Sequence, residues 1–230
     1  MEMKKDTFSR IAPFALYMAF VGLEEGLRFL AGMGILSLTT EFFQGLYPVK
    51  ALAVALLLFL FRRSYDEIRF RDLARPLFTL VTLIAGIGVF AFWIRLDLPW
   101  ATMGSAGGFN PNLFHNEGTR IFMTATRLCG AVLVVPVMEE LFWRSFLIRY
   151  ITSPDFTKVP VGSFTWPSFL FTALLFGLEH NLFVAGILAG ISYNLVLYYT
   201  RSLSCCIVAH AVTNLLLGIY VLNTSQWHFW

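Results

Sequence analysis

The apolar residues of this chain fall in long runs, each closed by a short basic or Pro/Gly-rich break. A helix needs about 20 predominantly apolar residues to cross a bilayer. Seven runs read as candidate spans: residues 11–38, 46–61, 77–94, 121–148, 165–180, 182–199 and 203–222. Composition agrees, with 57% hydrophobic and 13% charged residues, where a soluble domain carries about 25% charged. That leaves too little polar surface to cover a globule in water. The expected fold is all-α: a polytopic transmembrane helix bundle of about seven spans, forming a single membrane domain over residues 1–230. Its surroundings are the lipid bilayer. The net charge of +3 comes from basic residues at the ends of apolar runs, with no basic stripe, so nucleic acid is not an expected partner. Cys129, Cys205 and Cys206 sit in apolar context without a disulfide or CxxC framework and read as buried thiols.

Basic residues set the orientation. Lys4, Lys5 and Arg10 mark one side, and seven spans put the Arg62–Arg75 loop, the 149–158 loop and Arg201 on that same side. The N-terminus is therefore expected to be cytoplasmic and the C-terminus outside, in a multi-pass protein of the cell inner (plasma) membrane. The closing Trp227–Trp230 stretch reads as an interfacial aromatic belt.

Polar residues inside the spans are the informative ones, since a charge within a bilayer costs about 2.5–3.5 kcal/mol even on lenient scales. Glu139 and Glu140 lie deep in the fourth span, and Arg144 follows Glu140 by four, so those two can pair along one face. Glu139 points about 100° away and stays available. Pro136 removes one helix hydrogen bond just upstream and opens room. His180 closes the fifth span, four residues after Phe176. His210 and Asn214, also four apart, share a face of the seventh. At about 1.5 Å per residue, Glu139 lies roughly 15 Å from Arg149, His210 roughly 14 Å from Arg201 and His180 roughly 20 Å from Trp166. A carboxylate and two imidazoles thus reach comparable depth from three helices.

This set can hydrolyse an amide. A carboxylate in a low-dielectric pocket can act as general base on a water held by His180. His210 and the amide of Asn214 can face the developing oxyanion. Alternatively, Glu139, His180 and His210 bind a divalent metal such as zinc, which activates the water. HExxH is absent, which excludes a zincin-type helix.

Glu139-Glu140-Leu-Phe-Trp-Arg144 matches EExxxR, Phe176-Gly-Leu-Glu-His180 matches FxxxH, and His210-Ala-Val-Thr-Asn214 matches HxxxN. In this order the three resemble the CPBP family of CAAX-protease and bacteriocin-processing-like (Abi-like) proteins. Val-Val-Pro-Val-Met-Glu-Glu and Gly177-Leu-Glu-His-Asn181 also resemble a bacterial subgroup of CAAX protease-related proteins found beside exosortase/PEP-CTERM sorting systems. The resemblance implies an intramembrane endopeptidase acting on a membrane-associated protein or peptide. Glu139 and His180 would activate water, His210 and Asn214 would hold the oxyanion, and Glu140, Arg144 and Phe176 would support them, in a catalytic core over residues 119–222. Family names describe metalloproteases, which keeps the metal alternative open.

Other classes compete. The same charges suit a proton-coupled transporter, although its expected repeat is missing. Two histidines can ligate haem. A non-proteolytic assembly or scaffolding factor can share the fold. Glu24, Glu25 and Arg28 are expected to be structural or gating, with Glu24 paired to Arg28. Glu179 is expected at the outer rim or hydrogen-bonded near the site. Arg127 needs a partner that the sequence does not name, and His115 and His228 read as bland.

Overall fold

The computed structural model describes residues 2–104 and 108–230, with side chains from residue 5 onward in the first segment. Residues 105–107 of the expected Gly/Asn/Pro-rich loop, and the side chain of Lys4, lie outside the described residues. Seven long helices are present: α1 (Glu2–Gly32), α2 (Thr40–Phe61), α3 (Pro76–Arg95), α4 (Glu117–Thr152), α5 (Trp166–Leu178), α6 (Phe183–Thr200) and α7 (Leu203–Thr224). No strand occurs among the described residues. Among the described residues, five helices are long and apolar enough to cross a membrane: α2, α3, α4, α6 and α7. In α1, polar residues at both ends (Asp6 and Arg10, then Glu24, Glu25 and Arg28) confine the apolar stretch to its middle. The 13 residues of α5 rise only about 20 Å. Large apolar side chains such as Leu52, Leu56, Ile84, Phe122, Leu133 and Leu170 stand exposed, as the lipid face of a bundle requires. The chain is a multi-pass membrane protein.

Helix starts follow capping chemistry. Thr165 accepts the amide of Ser168, with Pro167 in the first turn, a capping residue followed by a proline whose missing N–H needs no helix partner. Asn116 does the same for Thr119 at the head of α4. The expected fifth span reaches His180, but α5 ends at Leu178. Glu179–Asn181 form a turn tied to the loop before α4, where the amide of Met103 donates to the Asn181 carbonyl at 2.7 Å.

Close backbone approaches set the depth of the site residues. A Cβ on Gly190 would lie 2.9 Å from the Ala173 Cα, and one on Gly186 2.9 Å from the Gly177 Cα. The small residues of α6 thereby seat against those of α5. A Cβ on Gly86 of α3 would meet the Ala209 carbonyl of α7 at 2.6 Å. Helix α4 bends through two π-helical turns, Gly130–Val134 and Leu141–Leu147. The first has the Val135 amide reaching back to the Gly130 carbonyl, next to Pro136, which has no N–H to give. The kink expected at Pro136 takes this form. Such wide turns occur often at functional sites, and here they bracket Glu139 and Glu140.

Three expectations are corrected. Glu24 does not pair with Arg28. Its carboxylate takes the Lys50 ammonium of α2 at 2.9 Å, while Arg28 stacks on Phe43 at 4.2 Å. A buried ammonium has few other ways to be compensated, so the interhelical pair prevails over the local one. Cys129 is exposed, and only Cys205 and Cys206 are buried. The C-terminal aromatic stretch is more than a surface belt, because Phe229 is buried and Trp230 lines the internal cavity.

Residues expected on one side of the membrane meet in one network. Arg10 forks onto Glu67 at 2.7 and 2.8 Å, Ser145 donates to the same carboxylate, and the Arg149 guanidinium lies 3.6 Å from it. Burial opposes the Glu67 charge, but Arg10 and Ser145 outweigh it and hold the carboxyl below its usual range. A depressed carboxyl stabilises the fold above its unfolded value of about 4.3 and loses that contribution as pH falls through the folded value. Thermal melts in detergent from pH 7 to pH 3 should show this loss in the wild type and not in Glu67→Gln. Glu67→Ala, which strands two buried guanidiniums, should cost about 3–5 kcal/mol at pH 7.

Candidate active site

A cavity of about 430 Å³ opens inside the bundle. Its walls include Glu139 from α4, Glu179 and His180 from the turn after α5, and His210 and Asn214 from α7. Phe14, Tyr17 and Met18 of α1 close another side. The four residues singled out from the sequence therefore face one space.

Glu140 is fully buried, and its Oε1 receives the Arg144 guanidinium at 3.1 Å and the His210 Nδ1 at 3.0 Å. Arg144, also fully buried, spreads its remaining donors over the Asn194 side chain at 3.2 Å and the Gly190 carbonyl at 3.3 Å. Its plane lies 4.4 Å from the Phe176 ring. Asn194 in turn donates to Thr172 at 2.9 Å. One carboxylate and one guanidinium thus link α4, α5, α6 and α7. Tyr193 stacks on His210 at 5.0 Å with 19° between the rings. Its hydroxyl donates to Thr213 at 2.8 Å, and Thr213 bonds the Gly86 carbonyl at 2.9 Å. His210 is therefore held at its edge and on its face.

Glu139 is the opposite case. It is 6% exposed, no hydrogen bond or ion pair holds it among the described residues, and its Oε2 is buried without a partner. A buried polar atom left unpaired is costly, and such groups in native folds call for a functional account. His180 donates from Nδ1 to the Phe176 carbonyl at 2.7 Å. In the neutral ring, that leaves Nε2 as a lone pair. Asn214 donates one amide hydrogen to the Ala131 carbonyl at 2.8 Å, inside the first wide turn of α4, and keeps the other.

Glu139, Glu179 and His180 each bring one ligand atom within 4.8 Å of the others. This donor set suits a divalent cation. The set expected from sequence differs by one member: Glu179 takes the third place, and His210 stands outside, committed through Nδ1 to Glu140. Glu179 is not a rim residue. The expectation left open a place near the site for Glu179, and the cavity wall is where it stands; sequence reasoning did not single out Tyr193, Asn194 or Thr213. The adjacent polar residues Tyr193 and Asn194 in the middle of an apolar span were the available signal. Arg127 finds aromatic partners, lying 4.4 Å over Tyr47 and 5.7 Å from Phe109. His228 pairs with Asp97 at 2.8 Å.

The family model described as type II CAAX prenyl endopeptidase Rce1-like matches residues 121–216, under half of the chain but including all three motifs. Over this segment the chain is similar to Rce1-like CAAX proteases. No curated protein and no solved structure is a significant match. The likeness supports a CAAX-type membrane protease in general terms.

The contrast between the adjacent glutamates has a measurable consequence. Glu140→Ala leaves Arg144 buried and unpaired and should lower stability by about 3–5 kcal/mol. Glu139→Gln replaces a buried carboxyl that no hydrogen bond or ion pair holds among the described residues and should leave stability unchanged or raised. Thermal melts of the two variants in detergent check this, and equal losses would contradict it.

Proposed function

We propose that the protein is an intramembrane endopeptidase in which Glu139 activates the attacking water. The observation that carries this reading is the pairing of a buried, unpartnered carboxylate with the free Nε2 of His180 on one cavity wall. Glu139 takes a proton from the water while His180 Nε2 orients it, and the water oxygen adds to the scissile carbonyl carbon. The oxyanion forms toward His210 and Asn214. Glu140 holds the His210 ring through Nδ1 at 3.0 Å, which fixes its orientation against the cavity. The free amide hydrogen of Asn214 supplies a second donor. Phe176 serves twice, through its carbonyl to His180 and its ring under Arg144. A divalent metal held by Glu139, Glu179 and His180 would supply Lewis acidity to the same water.

The catalytic core spans residues 119–222 within a single membrane domain, in the cell inner (plasma) membrane with the N-terminus cytoplasmic. The substrate is a membrane-associated protein or peptide, and the likeness to exosortase-associated proteins favours a sorting-tagged one. The test is cleavage of candidate membrane-anchored peptides, prenylated and not, by protein reconstituted in liposomes. Glu139→Gln should lower kcat by at least about 10³-fold, as removal of a general base together with its positioned water implies, with the melting profile preserved. Equal cleavage by wild type and variant would remove Glu139 from the mechanism.

A further inference from the structure

Arg127 takes no part in the mechanism above, yet it stands on the wall of the same cavity as Glu139. A charged side chain within a membrane bundle is costly, and those that persist line cavities and mark substrate or ion pathways. Arg127 forms no ion pair among the described residues, and its Nε is buried without a partner. The acids of α1 do not answer it. Glu24 is taken by Lys50 at 2.9 Å. Glu25, also on the cavity wall, is exposed and pairs with no cation among the described residues. What holds Arg127 is aromatic. Its guanidinium carbon lies 4.4 Å from the Tyr47 ring and 5.7 Å from that of Phe109. Tyr47 is fixed in turn, since its hydroxyl donates to the Arg127 carbonyl at 3.3 Å. It occupies the space that Gly130 leaves, where a Cβ would collide with that hydroxyl. A ring face attracts a guanidinium and orients it, but supplies no counter-charge and leaves its in-plane N–H donors unspent.

The position relative to Glu139 is also set. Arg127, Ala131, Val135 and Glu139 follow at four-residue intervals along α4, and all four line the cavity. Twelve residues at about 1.5 Å each separate the two charged turns by roughly 18 Å. An extended peptide covers that length in about five residues. We propose that Arg127 anchors a carboxylate of the bound peptide, about five residues from the bond that is cut. This rests on the endopeptidase reading and adds a specificity-determining residue to it. The carboxylate belongs to an Asp or Glu side chain or to a chain terminus, and either offers two coplanar oxygens that match the guanidinium fork. A lipid phosphate carries the same sign, but Arg127 faces the cavity and not the exposed side of α4 marked by Phe122 and Leu133. With the anchor at one end of the stripe and the attacking water at the other, the length between them selects the bond.

The test has two arms on protein in lipid nanodiscs. The first reads binding in the Glu139→Gln background, which leaves the peptide whole. The probes are N-acetylated, ten-residue apolar peptides ending in a free acid, in an amide, or in an amide with one Glu walked along the chain. The free acid or the best-placed Glu should bind about 10-fold or more tighter than the plain amide, as a charge-assisted pair implies. Whichever of the two wins identifies the source of the carboxylate. Arg127→Gln should remove the difference, and Arg127→Glu should turn the preference toward a Lys at the same place. These affinity ratios do not depend on how much of a variant folds. Equal binding of acid, Glu and amide peptides, or a preference that survives in Arg127→Gln, overturns the proposal. So does native mass spectrometry that finds phosphatidylglycerol retained by the wild type and lost from Arg127→Gln, since Arg127 would then hold a lipid phosphate. The second arm reads cleavage of a mixture of the same peptides by protein that keeps Glu139. Cuts should cluster about five residues from the carboxylate, and Arg127→Gln should scatter them. Cuts at no fixed distance from it overturn the proposal. Carboxylate preference in the first arm with no cleavage in the second would leave the anchor standing and refute the endopeptidase reading instead.

Discussion

The carboxylate of Glu140 governs the site. It lies at zero exposure inside a membrane bundle, where an uncompensated charge costs several kcal/mol, and Arg144 and His210 converge on a single one of its oxygens. Arg144 carries the link onward to Asn194 and the Gly190 carbonyl of α6 and over the ring of Phe176. His210 carries it to α7. Three helices and the end of a fourth are therefore indexed against one ion pair. With that pair in place, Glu139, one residue earlier and on another face of α4, can remain unpaired without unravelling the bundle. The turn of the helix between them leaves one neighbouring carboxylate paired and the other unpaired.

The architecture was largely legible because a membrane imposes a simple rule on sequence: apolar runs of spanning length between polar breaks. All seven helices were visible in that way. The runs at residues 11–38 and 165–180 are the two that fall short as spans, one through charge at its ends and one through length. The three motifs were legible for the complementary reason, since polar residues stand out against apolar spans. The Glu140–Arg144 pair followed from i, i+4 geometry alone.

What was not legible depends on contacts between elements. Glu179 looked peripheral because α5 was extended to His180. In fact the helix stops at Leu178, and the turn brings Glu179 back into the cavity. Glu24 was assigned the partner one turn away, but Lys50 on α2 answers it, a choice made by interhelical packing. Arg127 had no visible partner because its partners are rings from α2 and from a distant loop. The third member of the Glu139–His180 cluster was misassigned for a related reason. Spacing along α7 brings His210 to the right depth, but the ligand atoms that converge are those of Glu139, Glu179 and His180.

The account turns on Phe176 fixing His180 with its Nε2 lone pair toward the cavity that Glu139 also lines. Nitrogen-15 NMR of histidine-labelled protein in nanodiscs, with a His180→Gln sample for assignment, reads the tautomer directly. The expected result is hydrogen on Nδ1 alone in His180. Hydrogen on Nε2 with a bare Nδ1 would leave the water without its acceptor and would contradict the account.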